Sequence, residues 1–106
     1  MNISLSHNLS VEKALICSKN ILNQLKEDHS DRISNLVQMW NGTVSEFSFR
    51  IAGMNISGTL SVFSDRIEIK GDLPAAAFLF KKMIEDTFQR HAAKILKDCA
   101  NNQKNV

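Results

Sequence analysis

Cysteine, proline and glycine are all scarce in this chain, at 2, 1 and 4 of its 106 residues, and there is one tryptophan and no tyrosine. So few cysteines exclude a small disulfide scaffold, and so little proline and glycine exclude a collagen-like or low-complexity chain. No apolar run approaches the roughly 20 residues needed to span a bilayer. The opening Met1-Asn2-Ile3-Ser4-Leu5-Ser6 alternates apolar and polar residues and lacks the basic flank and apolar stretch of a signal peptide, so a cytoplasmic protein is expected. Charge of one sign is also missing. With 13 Lys and Arg against 11 Asp and Glu, the formal net charge of +2 is too small to announce a nucleic-acid binder.

What is present is a 43% hydrophobic content, and a chain of this length buries about two-thirds of its unfolded surface. The expectation is one domain over residues 1–100, followed by a flexible polar tail over 101–106. Cys17 and Cys99 stand far apart and outside any CxxC or CxxH pattern. In a cytoplasmic protein they are expected as reduced thiols.

Periodicity sets the order of elements. Ile3 and Leu5 alternate with serines as a short strand. Ser10 is placed to cap a helix whose stripe runs Val11, Ala14, Leu15, Ile21, Leu22 and Leu25, fading between Glu27 and Asp31. Three turns then follow, at Asn41-Gly42, Gly53-Met54 and Ser64-Asp65. They predict a four-stranded antiparallel meander in which Leu36 faces Phe47, Phe47 faces Leu60, Phe49 faces Gly58, Leu60 faces Ile69 and Val62 faces Ile67. That register collects the apolar residues on one face, with Gly58 leaving room for an aromatic ring. The other face is polar, except that Met39, Val44 and Phe63 form an apolar row across three strands. From Pro74 a second, long helix is predicted, with Ala77, Phe80, Ile84, Phe88, Ala92, Ile95 and Cys99 on its stripe and Phe78 and Leu79 to the sides. The whole is an α+β two-layer domain of order β-α-β-β-β-β-α, with both helices packed on one face of an antiparallel sheet.

A catalytic constellation is not visible. His7, His29 and His91 have no paired ligand spacing, and no nucleophile elbow is present. Gly53 to Gly58 has the glycine spacing of a phosphate loop but is followed by Thr59-Leu60 and spans a hairpin. His7 is expected to bond local backbone, His91 to border the helix stripe, and Trp40 to pack toward the core. The basic residues Lys81, Lys82, Arg90, Lys94 and Lys97 alternate with acids at ion-pair spacing, such as Asp86 with Arg90. No enzyme activity, cofactor or metal is expected.

Several stretches nevertheless resemble one family in collinear order. These are Ile3-Ser4-Leu5-Ser6-His7-Asn8-Leu9-Ser10; Trp40-Asn41-Gly42; Gly58-Thr59-Leu60-Ser61-Val62 leading into Ile67-Glu68-Ile69; and Leu73-Pro74 followed by Phe80-Lys81-Lys82-Met83-Ile84-Glu85 and the amphipathic run to Leu96. Over roughly residues 1–97 the chain resembles the small bacterial polyhydroxyalkanoic acid system proteins. It departs from them at Ala75 to Ala77 and in the polar tail. The resemblance implies association with storage-polyester metabolism at the surface of hydrophobic granules, and carries no active-site motif. The first expectation is therefore a non-enzymatic protein that binds an apolar surface or a protein partner, or forms a homodimer, through Met39, Val44, Phe63, Phe78 and Leu79. The alternative is an acyl carrier with a cavity beneath Phe80, Ile84 and Phe88, and a weak nucleic-acid binder stands third.

Overall fold

Alternation of apolar and polar residues in the middle of the chain produces five strands that pair in the order β1-β5-β4-β3-β2, antiparallel throughout. The computed structural model describes the backbone of residues 1–103 and the side chains other than those at 76 and 100–103. The strands are β1 (Asn2–Ser6), β2 (Ile33–Asn41), β3 (Val44–Ile51), β4 (Met54–Val62) and β5 (Arg66–Asp72). Helices α1 (Val11–Lys19) and α2 (Ile21–Asp28) link β1 to β2, and α3 (Lys81–Gln103) follows β5. The α+β layering and the helices on one sheet face agree with the sequence reading.

Ser10 caps α1, its hydroxyl accepting from the Lys13 amide at 3.2 Å. The first helical stretch is interrupted at Asn20, whose amide turns back to the Cys17 carbonyl at 3.2 Å, a tighter bond than the α-helix uses. Ala14, Cys17, Ile21, Leu22 and Leu25 form its buried stripe. Helix α3 continues through Gln103, and positions 104–106, part of the stretch expected as a tail, lie outside the described residues.

The third hairpin matches its predicted register, with Leu60 opposite Ile69 and Val62 opposite Ile67. The first two are displaced by two positions each. Phe47 faces Gln38 rather than Leu36, and Gly58 rather than Leu60, while Phe49 faces Ile56 rather than Gly58. The turn residues explain both shifts. Gly42 at φ 62° takes the first turn position between Asn41 and Val44, and Ala52 and Gly53, at φ 51° and 77°, form a primed turn between Ile51 and Met54. Gly58 also serves a different purpose from the one expected. A Cβ there would run into the Lys70 carbonyl oxygen of the neighbouring strand, so the glycine admits backbone rather than a ring. In β2 the register slips between Ser34 and Val37, where Asn35 adopts φ 54°. This bulge lets Ile33 and Trp40 both face inward despite their odd spacing.

The inner sheet face and the helices close one core built on Ile56, Leu60, Ile67 and Ile69, all at 0% exposure. Phe88 of α3 packs on Phe47 and Phe49 at ring separations of 6.3 and 5.8 Å. The second helix departs from expectation at its start. After Pro74 the chain makes a 3-10 turn (Ala75–Phe80) before α3 begins, and Phe80, expected on the buried stripe, is 48% exposed. Ala77, Ile84, Phe88 and Ala92 remain buried, joined by Leu96.

The cysteines correct a second expectation. Cys17 of α1 and Cys99 of α3 are joined as a disulfide, with Cα atoms 5.9 Å apart and 82 positions between them in sequence. The expectation of reduced thiols rested on a cytoplasmic setting; the packing of α1 along α3 brings the two sulfur atoms together despite their separation along the chain.

Candidate functional site

Apart from Ile16 of α1, 61% exposed, the large apolar side chains exposed to solvent among the described residues fall in two places. The first is the 3-10 turn and the opening of α3, where Phe78 is 72% exposed, Leu79 88% and Met83 60%, beside Phe80 and the cationic Lys81 and Lys82. A 3-10 turn carries three residues per revolution, so successive side chains point in different directions. With Ala77 committed to the core, Phe78 and Leu79 are turned outward. Their expected lateral position is therefore observed, and Phe80 and Met83 are additions the helical stripe did not foresee.

The second place is the open sheet face. Met39 is 70% exposed, with Val37, Val44 and Phe63 also accessible. The predicted straight row is not formed. Met39 lies opposite Glu46, and Val44 lies opposite Asn41 and Ser61, so the three expected residues run as a diagonal interrupted by polar neighbours. Phe63 is further covered by Arg66, whose guanidinium sits 4.3 Å from the ring centre. The displaced registers of the first two hairpins break up the row, while the Phe63–Arg66 contact closes the third hairpin, whose register is as predicted.

A constellation the sequence did not reveal lies between α2 and α3. The Nε2 atoms of His29 and His91 are 3.0 Å apart, and His91 Nδ1 faces Asp28 Oδ2 at 3.5 Å. One tautomer set satisfies this order: His91 carries its proton on Nδ1 toward the carboxylate, and His29 donates its Nε2–H to the bare His91 Nε2. A second proton on His91 would reverse the bond, with His29 then carrying its proton on Nδ1 and accepting at Nε2. Burial holds the His91 pKa below its ordinary value of 6.5, assisted by His29, Arg90 and Lys94 and opposed by Asp28. His7 has a different role: its Nε2 donates to the Phe63 carbonyl at 2.9 Å and its Nδ1 accepts from the Leu9 amide at 3.1 Å. That is the local backbone bonding expected of it. Trp40 Nε1 donates to Gln38, and Gln38 in turn to Asn23, tying β2 to α2.

Beside the histidine pair, a cleft of about 100 Å³ opens between α2, α3 and the ends of β2, β3 and β4. Phe49, Ile56, Ile84 and Phe88 line its depth, and His29, Arg32 and Thr87 are its polar members. The cavity expected beneath Phe80, Ile84 and Phe88 thus exists at Ile84 and Phe88, while Phe80 takes no part. Among the described residues, no group of His, Cys, Asp and Glu could hold a metal ion. No helix among them is long and apolar enough to cross a membrane. The predicted Asp86–Arg90 pair is replaced by a bond from Arg90 Nε to the Asp86 carbonyl at 3.4 Å, and the ion pair found on this face is Lys81–Glu85 at 3.9 Å.

The fold is thus a two-layer α+β domain with one open sheet face, an exposed apolar turn and a small apolar cleft. Residues 1–96 match the family model described as "Putative polyhydroxyalkanoic acid system protein (PHA_gran_rgn)", and the chain belongs to that family. The family is not a known enzyme family. No curated protein and no solved structure matches the chain.

Proposed function

We propose that this member of the polyhydroxyalkanoic acid system family is a non-catalytic interaction protein that seats on the apolar surface of a storage granule in the cytoplasm. The observation that carries this reading is the exposure of Phe78 at 72% and Leu79 at 88% on a single short turn beside Lys81 and Lys82. Large side chains held this far out of the core lose apolar contact to water at every moment the protein is free. Burying roughly 300 Å² there would be worth about 7 kcal/mol before association costs, a scale suited to reversible attachment. The flanking lysines match an apolar surface bearing anionic groups at its rim. Met39, Val44 and Phe63 on the open sheet face supply a second contact, for a granule protein or a second copy of the chain.

The test compares a Phe78→Ser, Leu79→Ser variant with a Met39→Glu, Phe63→Glu variant in co-sedimentation with purified granules and in light scattering. Loss of sedimentation in the first, with the fold intact, is expected. Unchanged sedimentation of both folded variants overturns the reading. A halved mass in the second, from a dimeric parent, would assign the sheet face to self-association.

A further inference from the structure

The cleft beside His29 is a site in its own right, and its lining states the chemistry of its occupant. Its floor is Ile56, fully buried, with Phe49 and Ile33 almost so. Leu25, Ile51, Met83 and Phe88 complete an apolar wall. At about 100 Å³ it is smaller than the cavity of about 150 Å³ that accepts a benzene ring, so it holds a short, narrow chain and excludes a helix or a strand. The polar members Arg32, His29 and Thr87 include one fixed cation, the Arg32 guanidinium, and no carboxylate. Asp28 is not part of the lining and faces His91. Among the described residues Arg32 pairs with Asp31 alone, at 3.8 Å between two largely exposed side chains, a pair that holds its guanidinium weakly.

We infer that this cleft binds a short-chain carboxylate of about four to six carbons, its alkyl tail on Ile56 and Phe49 and its carboxylate on the Arg32 guanidinium. An apolar slot with a cationic rim is complementary to an amphiphile of that polarity; a neutral chain would leave the rim unused, and a cation would be repelled. Because the slot is short, each added methylene gains affinity only until the floor is reached. Adsorption to a general apolar surface would instead strengthen roughly fourfold with every methylene. The inference rests on the cleft alone and stands apart from any attachment through Phe78 and Leu79.

The test is an NMR titration of the full chain with butyrate, hexanoate, octanoate and 1-hexanol, following the signals of Leu25, Ile33, Phe49, Ile51 and Phe88. Saturable shifts at these residues are expected with butyrate and hexanoate, and little further gain in affinity from hexanoate to octanoate. Arg32→Gln should weaken hexanoate about tenfold or more while leaving 1-hexanol unaffected, the scale of one charge-assisted hydrogen bond. Thr87→Phe, a half-exposed helix position whose larger ring fills the mouth, should abolish the shifts without unfolding the chain. Phe78→Ser should leave them intact. Three results would each overturn the proposal: no saturable shift with any acid, shifts that persist in a folded Thr87→Phe variant, or hexanoate and 1-hexanol binding alike in the parent and in Arg32→Gln. Shifts confined to Phe78, Leu79 and Phe80 would also overturn it, since they belong to the turn.

Discussion

His29 and His91 meet Nε2 to Nε2 at 3.0 Å across 62 positions of sequence, and Asp28 stands behind His91 at 3.5 Å. The contact fastens the end of α2 to the middle of α3, one imidazole nitrogen donating and the other accepting.

The pH dependence follows in sign. The folded state holds His91 below its ordinary 6.5, chiefly by burial, with His29, Arg90 and Lys94 adding to the effect and Asp28 opposing it. As pH falls below about 6.5 the unfolded chain takes up the proton first, so stability present above that value is lost as pH descends through the lower folded value. Urea unfolding between pH 8 and 5 should show this decline, at most about tenfold in the folding equilibrium per pH unit. His91→Gln should flatten it. An unchanged slope in that variant would assign the decline to other groups.

Reduction of the Cys17–Cys99 bond, which spans 82 positions, should release about 2–4 kcal/mol of stability. For a domain of this size that lowers Tm by roughly 10 °C or more. Differential scanning calorimetry with and without dithiothreitol measures it, and Cys99→Ser should reproduce the loss and become insensitive to reductant. The cytoplasmic setting proposed above is reducing, so trapping the thiols with a mass label in intact cells determines which form operates there.

Gly58→Ala should be among the most damaging small substitutions in the sheet, because the new methyl meets the Lys70 backbone, which cannot move without parting β4 from β5. A loss of about 1–3 kcal/mol or more is expected in chemical denaturation. Gly71→Ala, whose nearest obstacle is the end of the flexible Met1 side chain, should cost less.

Ala52 makes the opposite prediction. It occupies a left-handed conformation, φ 51°, that alanine adopts at a cost and glycine or asparagine accepts readily. Ala52→Gly or Ala52→Asn should be neutral or stabilising by up to about 1 kcal/mol, read as a rise in the urea midpoint.

The faces of the sheet were legible in the sequence and the exact pairing was not, for one reason. Side chains alternate with a period of two, so moving Phe47 from Leu36 to Gln38 leaves every residue on its own face. Hydrophobic pattern constrains the parity of a register; the turn residues settle the remainder, and Ala52 at positive φ gave no signal of its own. The apolar row dissolved into a diagonal through the same displacement. Phe78 and Leu79 were legible because they fell off a helical stripe, whereas Phe80 was placed on the stripe and is exposed at the end of a 3-10 turn that the helical period did not anticipate. His29 with His91 and Cys17 with Cys99 are brought together by the packing of α1 and α2 against α3. No local spacing encodes such meetings.

The position of β1 has a consequence for the order in which the molecule assembles. β2 to β5 are joined by short hairpins and can zip on contacts close in sequence, while Ile3 must wait for Ile69 and Leu5 for Ile67. The strand synthesised first is thus the strand placed last, and its partner edge on β5 stays open in the interval. Pulsed hydrogen exchange during refolding should find amides of β3 and β4 protected ahead of those of β1. A chaperone or a second nascent chain that recognises an extended edge has its opportunity then, before the N-terminal residues return to close the sheet.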